Sequence, residues 1–146
     1  MTVIPAVKAA LVTLATATLP ASQVIYGPIT AVTTTTGRLV SIGRVIGTRD
    51  LDSLSLGSTL ERFTVDIAIY VDLPGPDSAV QRMAEEQALS DYEDLVSAVL
   101  DDITLGLGNV SALPTGDFEL REISDANGRH AAVTFSVSVV AQNVEV

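Results

Sequence analysis

The chain has no cysteine and no tryptophan, one lysine (Lys8), one histidine (His130), and only three Phe and three Tyr in 146 residues. Without thiols there is no disulfide, no thiolate zinc site and no cysteine nucleophile, and the redox compartment stays undecided. Scarce aromatics mean that the core is built from Val, Ile, Leu and Ala. Such a core gains modestly per buried residue, so self-association is a natural further source of stability. No run approaches the ~20 apolar residues that a membrane-spanning helix needs, so no membrane partner is expected. The length fits one domain over residues 1–146.

What is present is acid, and it is uneven. The formal net charge is −10. From Asp77 to Asp102 eight carboxylates (Asp77, Glu85, Glu86, Asp91, Glu93, Asp94, Asp101, Asp102) stand against Arg82 alone. Such a surface repels phosphate and argues against nucleic-acid binding through this element. It reads first as a solvated helix face and second as a wall that lets DNA pass without sticking.

Residues 1–21 faintly resemble a signal peptide, with Lys8, an Ala/Leu-rich stretch and Leu19-Pro20-Ala21. Thr13, Thr16 and Thr18 dilute the apolar segment, however, and Ile4, Val7, Leu11 and Leu14 recur at helical spacing. This spacing predicts an amphipathic docking helix ending near Thr16 or Ala17, with Pro20 beyond it. Val24-Ile25-Tyr26 predicts a short strand ended by Gly27-Pro28, with a polar turn at Thr33–Thr36. Arg38–Thr48 predicts a strand with a bulge or close backbone approach at Gly43 and Gly47. Asp50–Thr59 reads as a loop whose leucines (Leu51, Leu54, Leu56) cover this domain or a neighbour.

Arg62–Asp72 is the clearest strand, with Phe63, Val65, Ile67, Ile69 and Val71 on one face. Strict alternation of this kind marks a sheet covered on one side only. After the Pro74-Gly75-Pro76 break, Asp77 stands where a helix N-cap belongs. An apolar stripe from Val80 through Met83, Ala84, Ala88, Tyr92, Leu95, Val96 and Val99 to Ile103 predicts a helix of about seven turns. Asp117–Ser124 and Arg129–Ala141 predict two strands joined by a hairpin at Asn127-Gly128. The expected fold is α+β, in the order α-β-β-β-α-β-β. One mixed, mostly antiparallel sheet of about five strands packs under a long helix and an N-terminal helix.

Chemistry is hard to find in these residues. His130 stands alone at a strand start, with no thiolate to complete a metal site and no nucleophile beside it. Adjacent acidic pairs such as Glu93-Asp94 diverge by about 100° on a helix and do not face one another. Gly106-Leu107-Gly108 follows a helix and lacks the third glycine of a dinucleotide loop, and no phosphate-loop lysine exists. No serine sits in a Gly-x-Ser-x-Gly elbow. Arg38, Arg44, Arg49 and Arg62 form a modest basic cluster, expected to pair with the acidic helix of this or a neighbouring copy before touching phosphate. An enzyme is not expected, and no cofactor or metal.

Several motifs fall in an order that resembles the tail terminator proteins of long-tailed, siphovirus-type phages, particularly those of actinobacteria. They are the early helix, Val24-Ile25-Tyr26-Gly27-Pro28 and Glu61-Arg62-Phe63-Thr64-Val65-Asp66-Ile67 leading into the Pro/Gly break and long helix. Thr104-Leu105-Gly106 and Asn127-Gly128-Arg129 with the strand Val133–Val139 follow. The resemblance spans nearly the whole chain, and departs at Thr33–Thr36 and in the sparse aromatics. It implies a hexameric ring that caps the tail tube, ends tube polymerisation and presents a surface for head completion or connector proteins, with DNA only as passing cargo. It also implies location in the virion neck after assembly in the host cytoplasm. Candidate contact surfaces are the loop carrying Leu51, Leu54 and Leu56, the hairpin at Asn127, Gly128 and Arg129, and the tail Gln142–Val146. The candidate electrostatic face is Glu85, Glu86, Glu93, Asp94, Asp101 and Asp102. Alternatives are another head–tail connector or tail completion protein, and a secreted binding module from which residues 1–21 are cleaved.

Overall fold

The computed structural model describes residues 2–27, 37–50, 58–75, 78–125 and 128–144. The order is α1 (Ile4–Thr18), β1 (Gln23–Tyr26), β2 (Arg38–Asp50), β3 (Ser58–Leu73), α2 (Ser78–Asp101), β4 (Val110–Asp125) and β5 (Gly128–Val144). The strands form one sheet ordered β1-β2-β3-β5-β4, with β1 parallel to β2 and every other pairing antiparallel. This is the expected α+β arrangement, a mixed five-stranded sheet with both helices on one face.

Period-two alternation decides which face is buried. Phe63, Val65, Ile67, Ile69 and Val71 of β3 point to the helices together with Val133, Phe135, Val137 and Val139 of β5, and all are buried. Their neighbours Thr64, Asp66, Ala68 and Tyr70 lie on the open face, half-buried. Helix α1 docks through Val7, Leu11, Ala15 and Leu19. Its threonines are tolerated because the Thr13 and Thr16 hydroxyls donate back to the carbonyls of Ala9 (3.1 Å) and Val12 (2.7 Å). Helix α2 presents Ala84 and Ala88 to Val71, Ala131 and Val133, where small side chains let it lie close to the sheet. Its later residues Leu95 and Val99 join α1 in the main core.

The two glycines in β2 have separate causes. The register slips between Ile42 and Val45, a bulge that spans Gly43. At Gly47 a Cβ would stand 2.4 Å from the Phe63 Cβ and 2.7 Å from the Arg62 carbonyl, so only hydrogen fits.

Several expectations need correction. Asp50 closes β2, and Ser58 and Thr59 open β3, so the expected loop is shorter than Asp50–Thr59. Strand β4 begins at Val110 rather than Asp117, because residues 110–114 pair with β5 before an irregularity between Pro114 and Phe118. Met83 is 58% exposed, and Ile103 lies beyond the helix end and is 42% exposed, so neither belongs to the packing stripe. The stripe runs instead through Ala84, Ala88, Asp91, Leu95 and Val99. Gln142–Val144 belong to β5 rather than to a tail. Leu51, Leu54, Leu56, Asp77 and Asn127 fall outside the described residues, as do the Thr33–Thr36 turn and residues 145 and 146.

Candidate functional site

Asp91 is the residue whose placement departs most from its composition. It occupies the buried stripe of α2 at 1% exposure, between Ala88 and Leu95. A carboxylate tolerates such a place only with charge and hydrogen-bond partners. Arg38 at the start of β2 supplies both. Its Nε donates to one Asp91 oxygen at 3.2 Å and its Nη2 to the other at shorter range, and the Gln87 amide adds a bond of 2.9 Å. The pair ties the sheet to α2, so Arg38 alone of the cluster is shown to make the expected pairing with the acidic helix, while Arg49 lies beside Glu61 of β3 instead. Asp91 therefore drops out of the solvated acidic face.

Glu61 is a second buried acid, 5% exposed, on β3. The N-cap position of α1 is Val3, which offers no side-chain cap. Glu61 takes over that role from the sheet, accepting from the Thr2 hydroxyl at 2.8 Å and more loosely from the Val3 amide at 3.4 Å. A negative charge at a helix N-terminus is favourable for the helix dipole. Arg49 Nη2 lies 3.6 Å away and adds charge compensation without a close hydrogen bond. Only the position of Glu61 beside an alternating strand pointed to it in the sequence.

Of the six residues of the expected electrostatic face, Glu86, Glu93, Asp94, Asp101 and Asp102 are exposed. Glu85 is different. It is half-buried toward β4, and a hydrogen bond with Glu122, then burial, then the like charge of Glu122 hold its carboxyl above the usual glutamate range. Glu85 thus faces another carboxylate between α2 and β4 and does not belong to a solvated wall. His130 Nδ1 stands 2.8 Å from Asp72 Oδ1 across the β3–β5 ladder, so the lone histidine has a carboxylate neighbour that the sequence did not indicate. Gly128 and Arg129 open β5 opposite Asp125 and Ser124, forming the expected hairpin.

On the open face a shallow hollow of about 840 Å³ runs across β2, β3, β5 and β4, with Arg44, Asp66, Asp117 and Arg121 among its lining. Its wall is hydroxyl-rich and carries both signs of charge, and Asp66 accepts from the Ser136 hydroxyl at 2.8 Å. Among the described residues no group of three or more His, Asp or Glu is placed to hold a metal ion.

The sheet borders are the other notable surfaces. β4 is an outermost strand, sixteen residues long. β1 shields β2 only from Leu39 to Ile42, which leaves the outer side of residues 43–50 without a strand among the described residues. A border left unpaired presents rows of backbone donors and acceptors and is a template for pairing with another chain; on β4 the Ala112 amide is already taken, donating to the Ile103 carbonyl at 2.6 Å, and Pro114 has no amide hydrogen. No helix of the described residues is long and apolar enough to cross a membrane. No protein-family model and no curated protein matches the chain.

Proposed function

We propose that this protein is a structural subunit of a phage tail, a tail terminator that assembles into a hexameric ring on the finished tail tube. The observation that carries the reading is a sheet in which, among the described residues, no strand lies outside residues 43–50 of β2 or outside β4, on a body stiffened by two helices. A subunit that can accept a neighbour on each side has the prerequisite for a heterologous contact, which closes into a ring when the rotation between copies closes. The partners on this reading are further copies of the chain, the major tail tube protein and a head completion or connector protein. The four exposed carboxylates of α2 and Asp102 just beyond it suit a particle through which DNA passes without adhering. Work of this kind calls for no reaction.

The cleaved-module alternative is weakened by α1, since removal of residues 1–21 strips Val7, Leu11, Ala15 and Leu19 from the core. Negative-stain electron microscopy of the purified protein is expected to show closed rings with a central passage. A species that stays monomeric on native mass spectrometry at every accessible concentration refutes the ring.

A further inference from the structure

We infer that neighbouring copies join flank to flank through their helix layers: the α2/β4 side of one copy, centred on Phe118, receives the α1/β1 side of the next, centred on Tyr26 and Lys8. This rests on the ring reading above and names its contact. Side chains make the joint, which needs no backbone pairing.

The two flanks lie at opposite ends of one row. Reading across the ladders, Tyr26 aligns with Ile42, Ile67, Phe135 and Phe118 in turn. The three in the middle are buried under the helices, whereas Tyr26 is 53% and Phe118 54% exposed. The row ends in an accessible aromatic ring on each side. A neighbour placed alongside by rotation about an axis along the strands keeps its level, and brings its Tyr26 to the height of the first copy's Phe118. The helices follow the same order, since α1 lies over β1 and β2 and beside α2, which lies over β3, β5 and β4. The helix layer of one copy therefore continues, past α2, into α1 of the next.

Phe118 belongs to a larger apolar flank. Its ring packs on Tyr92 with centroids 5.1 Å apart, and Tyr92 packs on buried Phe135 at 5.0 Å. Leu89, Tyr92, Val96 and Leu100 recur at i, i+3, i+7 and i+11, so they line this same side of α2. The first three are half-buried, Leu100 is 53% exposed, and Ile103 just past the helix is 42% exposed. On the opposite flank the Lys8 ammonium stands 4.4 Å over the centre of the Tyr26 ring. Ring and cation form one amphipathic knob, and an aromatic anchor entering an apolar flank is the kind of contact that dominates interfaces.

Charge tells which flank meets which. Residues 83–120, covering most of α2 and the first part of β4, hold nine carboxylates and no Lys or Arg. Residues 1–49, covering α1, β1 and nearly all of β2, hold Lys8 and three arginines and no acid at all. Tyr92, Leu100, Ile103 and Phe118 each have an exposed acid as chain neighbour, namely Glu93, Asp101, Asp102 and Asp117. An acidic rim around an apolar flank attracts a knob that carries a lysine, whereas two such rims repel, so symmetric pairing through the α2/β4 flank is disfavoured.

Mixed variants test a head-to-tail joint directly. Tyr26→Asp spoils one flank and Phe118→Asp the other, so each variant alone is expected to self-associate at least about thirtyfold more weakly than wild type. Mixed in equal amounts they keep one intact pair of flanks, and native mass spectrometry is expected to show a one-to-one dimer and nothing larger. Leu100→Asp is expected to behave as Phe118→Asp does, without disturbing the Tyr92 stack. Lys8→Glu is expected to weaken assembly about tenfold at low salt and about twofold at high salt. Met83→Ser alters an exposed residue half a turn round α2 from Tyr92 and is expected to leave assembly unchanged. Folded variants that stay apart when mixed, a mixture that rebuilds rings, or a Met83 variant as weak as the others overturns the joint and leaves the ring standing. A wild type that never assembles overturns the ring reading itself.

Discussion

Replacing Asp91 by alanine tests whether the buried ion pair holds α2 on the sheet. The Asp91 side chain is 2% exposed and that of Arg38 24%. Removing one partner of a fully buried pair costs about 3–5 kcal/mol, chiefly because the other charge loses its compensation. The guanidinium here still reaches solvent along a quarter of its surface, which places the expected cost at the low end, ~3 kcal/mol. With a urea m-value of about 1.5 kcal/mol per molar, the unfolding midpoint is expected to fall by ~2 M. Equilibrium urea unfolding followed by far-UV circular dichroism reads this directly. Protein concentration must be held constant, because self-association adds its own stabilisation. A cycle with Arg38→Ala is expected to give a coupling energy of about 2 kcal/mol. Replacing both residues with apolar ones, Arg38→Met with Asp91→Leu, is expected to recover most of the loss, since a well-packed apolar pair avoids the cost of desolvating two ions. A midpoint within about 0.3 M of wild type for Asp91→Ala, or singles that simply add in the cycle, refutes the reasoning.

Glu61→Ala removes the acceptor at the start of α1 and is expected to cost about 2 kcal/mol, with amide exchange rising across residues 4–18 before the rest of the chain, while Glu61→Gln retains an acceptor and costs less. Gly47→Ala drives a Cβ into Phe63 and the Arg62 carbonyl, so β2 and β3 must part locally; a loss of about 1–3 kcal/mol is expected in thermal unfolding, and an unchanged Tm contradicts the close approach. For Glu85 the folded carboxyl lies above its unfolded value, so the folded state holds the proton more tightly. Wild type therefore loses stability as pH rises from the unfolded value through the raised one, a loss that Glu85→Gln lacks. The variant is expected to be more stable than wild type at pH 7, the gap closing toward acid pH, and a gap that widens on acidification contradicts the like-charge contact with Glu122.

The elements that were legible in the sequence are those where one period dominates. β3 alternates without interruption from Phe63 to Val71, and the observed strand buries those same five residues. The Asn127-Gly128 pair announced the β4–β5 hairpin because its backbone needs are local. β2 showed its irregularities through two glycines, and each has its own cause, a bulge at one and a backbone contact at the other. Where reading failed, a distant partner decided the outcome. Asp91 looks like one more acid in an acidic run, and only Arg38, fifty-three positions away, makes its burial tolerable. Residues 110–114 contain proline and stand between glycines, so they read locally as a loop, yet pairing with β5 extends them into a strand. Met83 has the right spacing for the stripe, but the face of α2 that meets the sheet lies one step around, along Ala84 and Ala88.

The separation of charge between the two borders follows from chain order combined with sheet order. The acid-free first forty-nine residues build β1 and nearly all of β2 on one side of the sheet, and β5 lies between β3 and β4, which leaves β4, with Asp117, Glu119 and Glu122 beside Arg121, at the far border. Polarity along the sequence thus becomes polarity across the molecule. Such a charge pattern sets which border meets which and how salt-sensitive the meeting is, whereas the number of copies in a closed ring depends on the angle between adjacent subunits. That angle is governed by the backbone geometry and sheet twist where copies meet, not by the identity of the charges. Reversing one exposed border charge, as in Arg44→Glu, should therefore change how readily rings form but not how many copies they hold, and a change in copy number on native mass spectrometry would mean that the charge shapes the joint rather than merely selects it.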